Sequence, residues 1–142
     1  MYVRAMAATA ALVVLSAGGA HAALFNVSAT LKGASEVPAN TTTGTGTVSA
    51  TLDTGTKSFS YSVRYSGLTG PAIAAHFHGP AAPGANAPPI ITIANLTSPI
   101  LGTTSLTDAQ IADLKAGKWY FNVHTAAHPG GEIRGQLRAT PK

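Results

Sequence analysis

The chain has 142 residues, nine Lys and Arg against five Asp and Glu, a formal charge of +4 and no cysteine. The lack of thiols excludes disulfide scaffolds, thiolate metal sites and cysteine catalysis. The basic residues are scattered, without runs and with little aromatic interleaving, which argues against nucleic-acid binding but leaves a mild positive field able to draw small anions.

Residues 1–22, MYVRAMAATAALVVLSAGGAHA, have the layout of a secretory signal peptide: Arg4 near the start, an apolar run from Ala5 to Leu15, and an A-x-A site at Ala20-His21-Ala22. The mature chain is expected to begin at Ala23; cleavage after Ala20, which would leave His21 as a free N-terminus, is the alternative. The apolar run is too short to span a bilayer, so the expected location is periplasmic or secreted, with no membrane attachment after cleavage. Residues 23–142 suffice for a single domain with its own core.

From Ala23 onward, short runs of alternating apolar and polar residues predict strands. LFNVSATLKG sends Phe25, Val27, Ala29 and Leu31 to one side. GTVSATLD does the same with Val48, Ala50 and Leu52, and KSFSYSVRYSGL with Phe59, Tyr61, Val63 and Tyr65. The Asp53-Thr54-Gly55-Thr56 turn between the last two predicts a hairpin. IAAHFH, PPIITIANL, KWYFNVHT and GEIRGQLRA supply further strands. GPAAPGANAPP at 79–89 is a loop, because its prolines and glycines cannot sustain a ladder. SLTDAQIADLKAGK predicts one short helix: Thr107 and Gln110 form a capping box, Asp108 lies in the first turn, Lys115 in the last, and Gly117 stops it. The expected fold is all-β, a Greek-key antiparallel β-sandwich or barrel of about seven to eight strands with that one helix.

Histidine is concentrated in two stretches, AHFHG and HTAAHPGG. Strand alternation puts His76 and His78 on the face opposite Phe77, and Tyr120, Asn122 and His124 opposite Trp119, Phe121 and Val123. If the aromatic rows are the core, pairing the two strands brings three outward imidazoles within reach of one ion, and a turn can fold His128 back toward His124. Solvated surface imidazoles are the alternative. Imidazole sites without thiolate suit copper or zinc. A blue-copper site lacks its cysteine, both methionines leave with the signal peptide, and no carboxylate stands beside the pair to act as the base of a zinc hydrolase. Glu36 reads as a loop-anchoring acceptor, and Gly130 and Gly131 as turn residues.

The motifs LKGASEVPA, AHFHGPA, LTDAQIADLKAGKWYFNVHT and HPGGEIRGQL occur in order between Leu24 and Ala139. This stretch resembles a CHRD domain, the module named from chordin and found in many bacterial secreted proteins. In chordin the modules belong to an extracellular growth-factor antagonist. The H-x-H strand followed by a distant histidine also resembles the copper site of Cu/Zn superoxide dismutases. That resemblance implies one copper ion per chain held by His76, His78 and His124, with His128 as a fourth candidate, and superoxide as a small anionic substrate. The disulfide and the zinc ligands of those enzymes are missing, so the implied site is copper-only. Arg134 would guide the anion, or would simply pair with Glu132 two residues before it or with the backbone at the sheet edge. The alternative function is a non-catalytic copper carrier or buffer, or an extracellular protein-binding module. The sequence leaves the oligomeric state open.

Overall fold

The computed structural model describes residues 21–142. The signal-peptide reading therefore falls almost wholly on residues 1–20, outside the described residues.

The first three strands form where the alternation is longest. β1 (Leu24–Lys32), β2 (Thr45–Asp53) and β3 (Ser58–Ser66) make an antiparallel meander in unbroken register, with Val27 opposite Ala50 and Val48 opposite Val63. The turn between β2 and β3 is the expected hairpin: Asp53 Oδ1 accepts from the backbone N–H of Gly55 and Thr56 at 2.8 and 3.1 Å. The chain then crosses to β4 (Ala72–His78), β5 (Pro89–Thr92) and β6 (Ile100–Ser105), continues through the helix α1 (Asp108–Lys115), and ends in β7 (Tyr120–Thr125), β8 (Ile133–Gln136) and β9 (Arg138–Pro141).

The strands hydrogen-bond in the order β5-β4-β7-β8-β1-β2-β3-β6, with β9 also on β1. Within it, β8 returns by a long connection to lie beside β1, β2 and β3, which is Greek-key connectivity. The sheet curls into a half-barrel, so that strands far apart in this order meet face to face. Phe59 of β3 touches Phe77 of β4 edge-on at 5.4 Å between ring centroids, and Trp119 lies 6.0 Å from Phe59. These aromatics join Val27, Leu31, Leu52, Val63, Phe121, Val123 and Ile133 in one buried core.

The helix forms as its capping signals predict. The Thr107 side chain accepts from the Gln110 N–H, the Gln110 side chain accepts from the Thr107 N–H, and Gly117 leaves the helix at φ +73°. Ile111 and Leu114 face the core.

Among the described residues nine strands form where the sequence patterns mark seven runs. The run GEIRGQLRA divides at buried Leu137, because its first half pairs with β7 and its second with β1. β6 is an edge strand in which Ile100 is buried and Leu101 is 72% exposed. Its sequence, ILGTTS, lacks the repeated alternation that marks the other strands. PPIITIANL yields only the four residues of β5, after which Ile93 turns inward and donates its N–H to the Ala75 carbonyl.

Phe77 sits between His76 and His78 and is wholly buried against Phe59, Tyr61, Trp119 and Phe121. Phe77→Ala is expected to cost about 3–5 kcal/mol of stability, read as a lowered urea midpoint at unchanged slope.

Candidate metal centre

The register of β4 against β7 builds the site. His76 lies opposite Asn122, His78 opposite Tyr120, and Ala74 opposite His124. With Phe77 and Phe121 turned into the core, His76, His78, Tyr120, Asn122 and His124 share the other face. One ligand nitrogen from each of His76, His78 and His124 lies within 4.8 Å of the others. The nearest pair, His76 Nδ1 and His124 Nε2, is 3.2 Å apart. Two nitrogens on one tetrahedral ion, at bond lengths of about 2.0–2.1 Å, stand about 3.3 Å apart. The cluster thus has the donors and nearly the spacing of a metal site.

The tautomers suit that use. His124 Nδ1 lies 2.9 Å from the Pro129 carbonyl and His78 Nδ1 lies 2.9 Å from the Ala87 carbonyl. A backbone carbonyl only accepts, so both Nδ1 atoms carry the proton and both Nε2 lone pairs are left for an ion. Burial, followed by the neighbouring charges of His124 and His78, holds His76 below the ordinary imidazole pKa. Burial does the same for His78, outweighing its bonds to Ala87 and Asn122. Both rings are therefore neutral at pH 7, the form that binds metal.

The loop read as 79–89 covers one side of the cluster. His78 is 7% exposed and stacks on Tyr120 at 4.6 Å and 5°. The Tyr120 hydroxyl contacts Ala87, donating to its carbonyl at 3.2 Å and lying 3.1 Å from its N–H. The Tyr120 ring also carries the Arg134 guanidinium, 3.5 Å from its centroid. Arg134 is 2% exposed and donates to Asn86 Oδ1 at 2.8 Å and to the Ala85 carbonyl. It is not paired with Glu132: that carboxylate accepts from the hydroxyls of Thr42, Thr69 and Thr125. Burial opposes its ionisation, but these bonds prevail and hold Glu132 below its ordinary pKa.

His128 stands apart from the group of three, with its Nε2 4.0 Å from Glu132 Oε1. His76, His78 and His124 are the sequence-derived candidates that converge.

Two residues of the site were not assigned to it from sequence. Asn122 is 4% exposed and its Oδ1 lies 2.9 Å from His78 Nε2; its place between Tyr120 and His124 on the outer face was the available signal. Glu36, read as a loop anchor, is 5% exposed, and its Oε1 has no hydrogen-bond partner among the described residues. Burial raises its pKa to about 7, against the lowering effects of Arg134, the Asn122 amide and the Val37 backbone. It packs on Gly131, where a Cβ would fall 2.3 Å from Oε1 and where φ is +130°. That glycine thus serves both the turn and the close approach.

The family model of the CHRD domain matches residues 27–137, which include the three converging histidines and the helix. The chain belongs to the CHRD domain family. Comparison with curated proteins and with solved structures finds no match.

The raised Glu36 pKa fixes the sign of a pH effect. Between the ordinary carboxyl value of 4.5 and about 7, the unfolded chain releases this proton while the folded one keeps it, so the contribution of Glu36 to stability falls as pH rises through that window and then levels, while His76 and His78, held below 6.5, contribute in the opposite sense. In urea unfolding of the metal-free protein at pH 4.5, 6 and 7.5, the stability of wild type relative to Glu36→Gln is expected to show the decline.

Proposed function

We propose that this chain is an exported copper-binding CHRD protein whose three-histidine site holds one copper ion and supports superoxide dismutase-like redox chemistry. The observation that carries the reading is the convergence of three imidazoles, two of them with tautomers set by backbone carbonyls. Nitrogen sites without thiolate favour copper over zinc among divalent ions. Bound copper would supply one-electron chemistry, oxidising one superoxide to dioxygen and reducing the next to peroxide.

The chain's own residues divide the work. His78 is the buried support, held by Ala87 and Tyr120. His76 and His124 are only partly buried and leave a side open to a small anion. Arg134, enclosed beneath Tyr120, attracts that anion through its field rather than by contact. Export is supported by the signal-like start and by the extracellular character of CHRD modules. Among the described residues no helix is long and apolar enough to cross a membrane. The second reading, a non-catalytic copper carrier, draws on the burial of His78, which shields one side of an ion from reactants.

Superoxide dismutation by metal-free protein titrated with copper, beside His78→Ala and His124→Ala, separates the two. The enzyme reading expects activity that saturates at one copper per chain and an affinity loss in each variant above the roughly 10–100-fold that outer partners command. Stoichiometric binding without activity assigns a carrier; undiminished binding in both variants removes the site. Because His76 and His78 titrate below the ordinary value of 6.5, protonation of these two rings is expected to weaken copper binding only in solution more acid than that.

A further inference from the structure

We infer that Asn122 is a fourth donor of this site, its side-chain oxygen binding the ion beside His76, His78 and His124. The inference rests on the three-histidine reading and extends it.

The geometry begins at His78. Its Nδ1–H is committed to the Ala87 carbonyl, so Nε2 presents a lone pair, and that lone pair points at Asn122 Oδ1, 2.9 Å away. An amide oxygen also offers only lone pairs. Two acceptors at this distance, 7% and 4% exposed, meet where a cation satisfies both. His76 Nδ1 and His124 Nε2 stand 3.2 Å apart, and both distances approach the separation of about 3.3 Å expected for two donors on one ion.

The register completes the placement: Asn122 lies directly opposite His76 and two residues before His124 on the same face of β7.

A neutral oxygen is a harder donor than imidazole, so it contributes to Cu(II) and little to Cu(I). This distinguishes a ligand from a residue that merely props up His78, which would affect both oxidation states alike. The test is competition titration of the full folded domain with Cu(II), and with Cu(I) under reductant, for wild type, Asn122→Ala and Asn122→Asp. Electron paramagnetic resonance of the Cu(II) forms is recorded in parallel, with far-UV circular dichroism to confirm folding. In Asn122→Ala, Cu(II) affinity is expected to fall about tenfold with a changed Cu(II) spectrum, while Cu(I) affinity stays within about twofold of wild type. The near-isosteric Asn122→Asp, which retains an oxygen, keeps or tightens Cu(II) binding. Unchanged Cu(II) affinity and spectrum in Asn122→Ala, with normal wild-type binding, would overturn the inference and leave the three histidines standing. Equal weakening of both oxidation states would also overturn it, making Asn122 a support for the ring. No tight copper binding by the wild type would remove the three-histidine reading itself.

Discussion

The ladder between β4 and β7 is the constraint on which the rest depends. Side chains on paired strands alternate between two faces, so one register decides together which aromatics enter the core and which polar groups meet outside it. Pairing Phe77 with Phe121 on the inner face obliges His76, His78, Asn122 and His124 to share the outer one. A slip by one residue would put imidazoles into the core and phenyl rings into solvent. The energy that holds the histidines in place is therefore mostly apolar burial on the side of the sheet that never touches an ion.

Behind the site lies an unusual set of buried polar groups. Arg134, Glu36 and Glu132 are each at most 5% exposed; Arg134 and Glu132 are satisfied mainly by groups other than an opposite charge, while Glu36 Oε1 has no hydrogen-bond partner among the described residues. Arg134 rests on the Tyr120 ring and bonds to the 85–86 backbone and side chain, while Glu132 gathers threonine hydroxyls. Burying such groups is costly unless their bonds are made, so they specify one arrangement of the loops at 33–40 and 79–88. Loops that carry no regular ladder thus acquire a defined geometry at the place where ligand nitrogens need acceptors.

Local signals were the legible ones. The Thr107–Gln110 box announces the helix because capping is settled within four residues, and two-residue alternation announces β1 to β4 and β7 because their inner faces are continuous. The same alternation placed His76, His78 and His124 on one face. It was silent on β6, whose only strong inner residue is Ile100, and on the division at Leu137, which depends on two partner strands remote in sequence. The acceptors for His78 and His124 are the carbonyls of Ala87 and Pro129, and a backbone carbonyl leaves no mark in the side-chain pattern. Nor does sequence separate His128, four residues from His124 but turned toward Glu132, from the residues that converge.

The stretch from Ala85 to Ala87 touches the site three times, through the Ala85 carbonyl, the Asn86 side chain and the Ala87 carbonyl. A ligand at His78 would therefore be coupled to this loop: were the loop to open, the Ala87 carbonyl would leave His78 Nδ1, so that binding would disfavour opening and opening would weaken binding. A segment rich in proline and glycine would then act as a clasp, protected from proteases and from amide exchange when the site is filled and released when it is emptied. Retention of an ion would be governed as much by the lifetime of the closed loop as by the strength of any one bond to nitrogen.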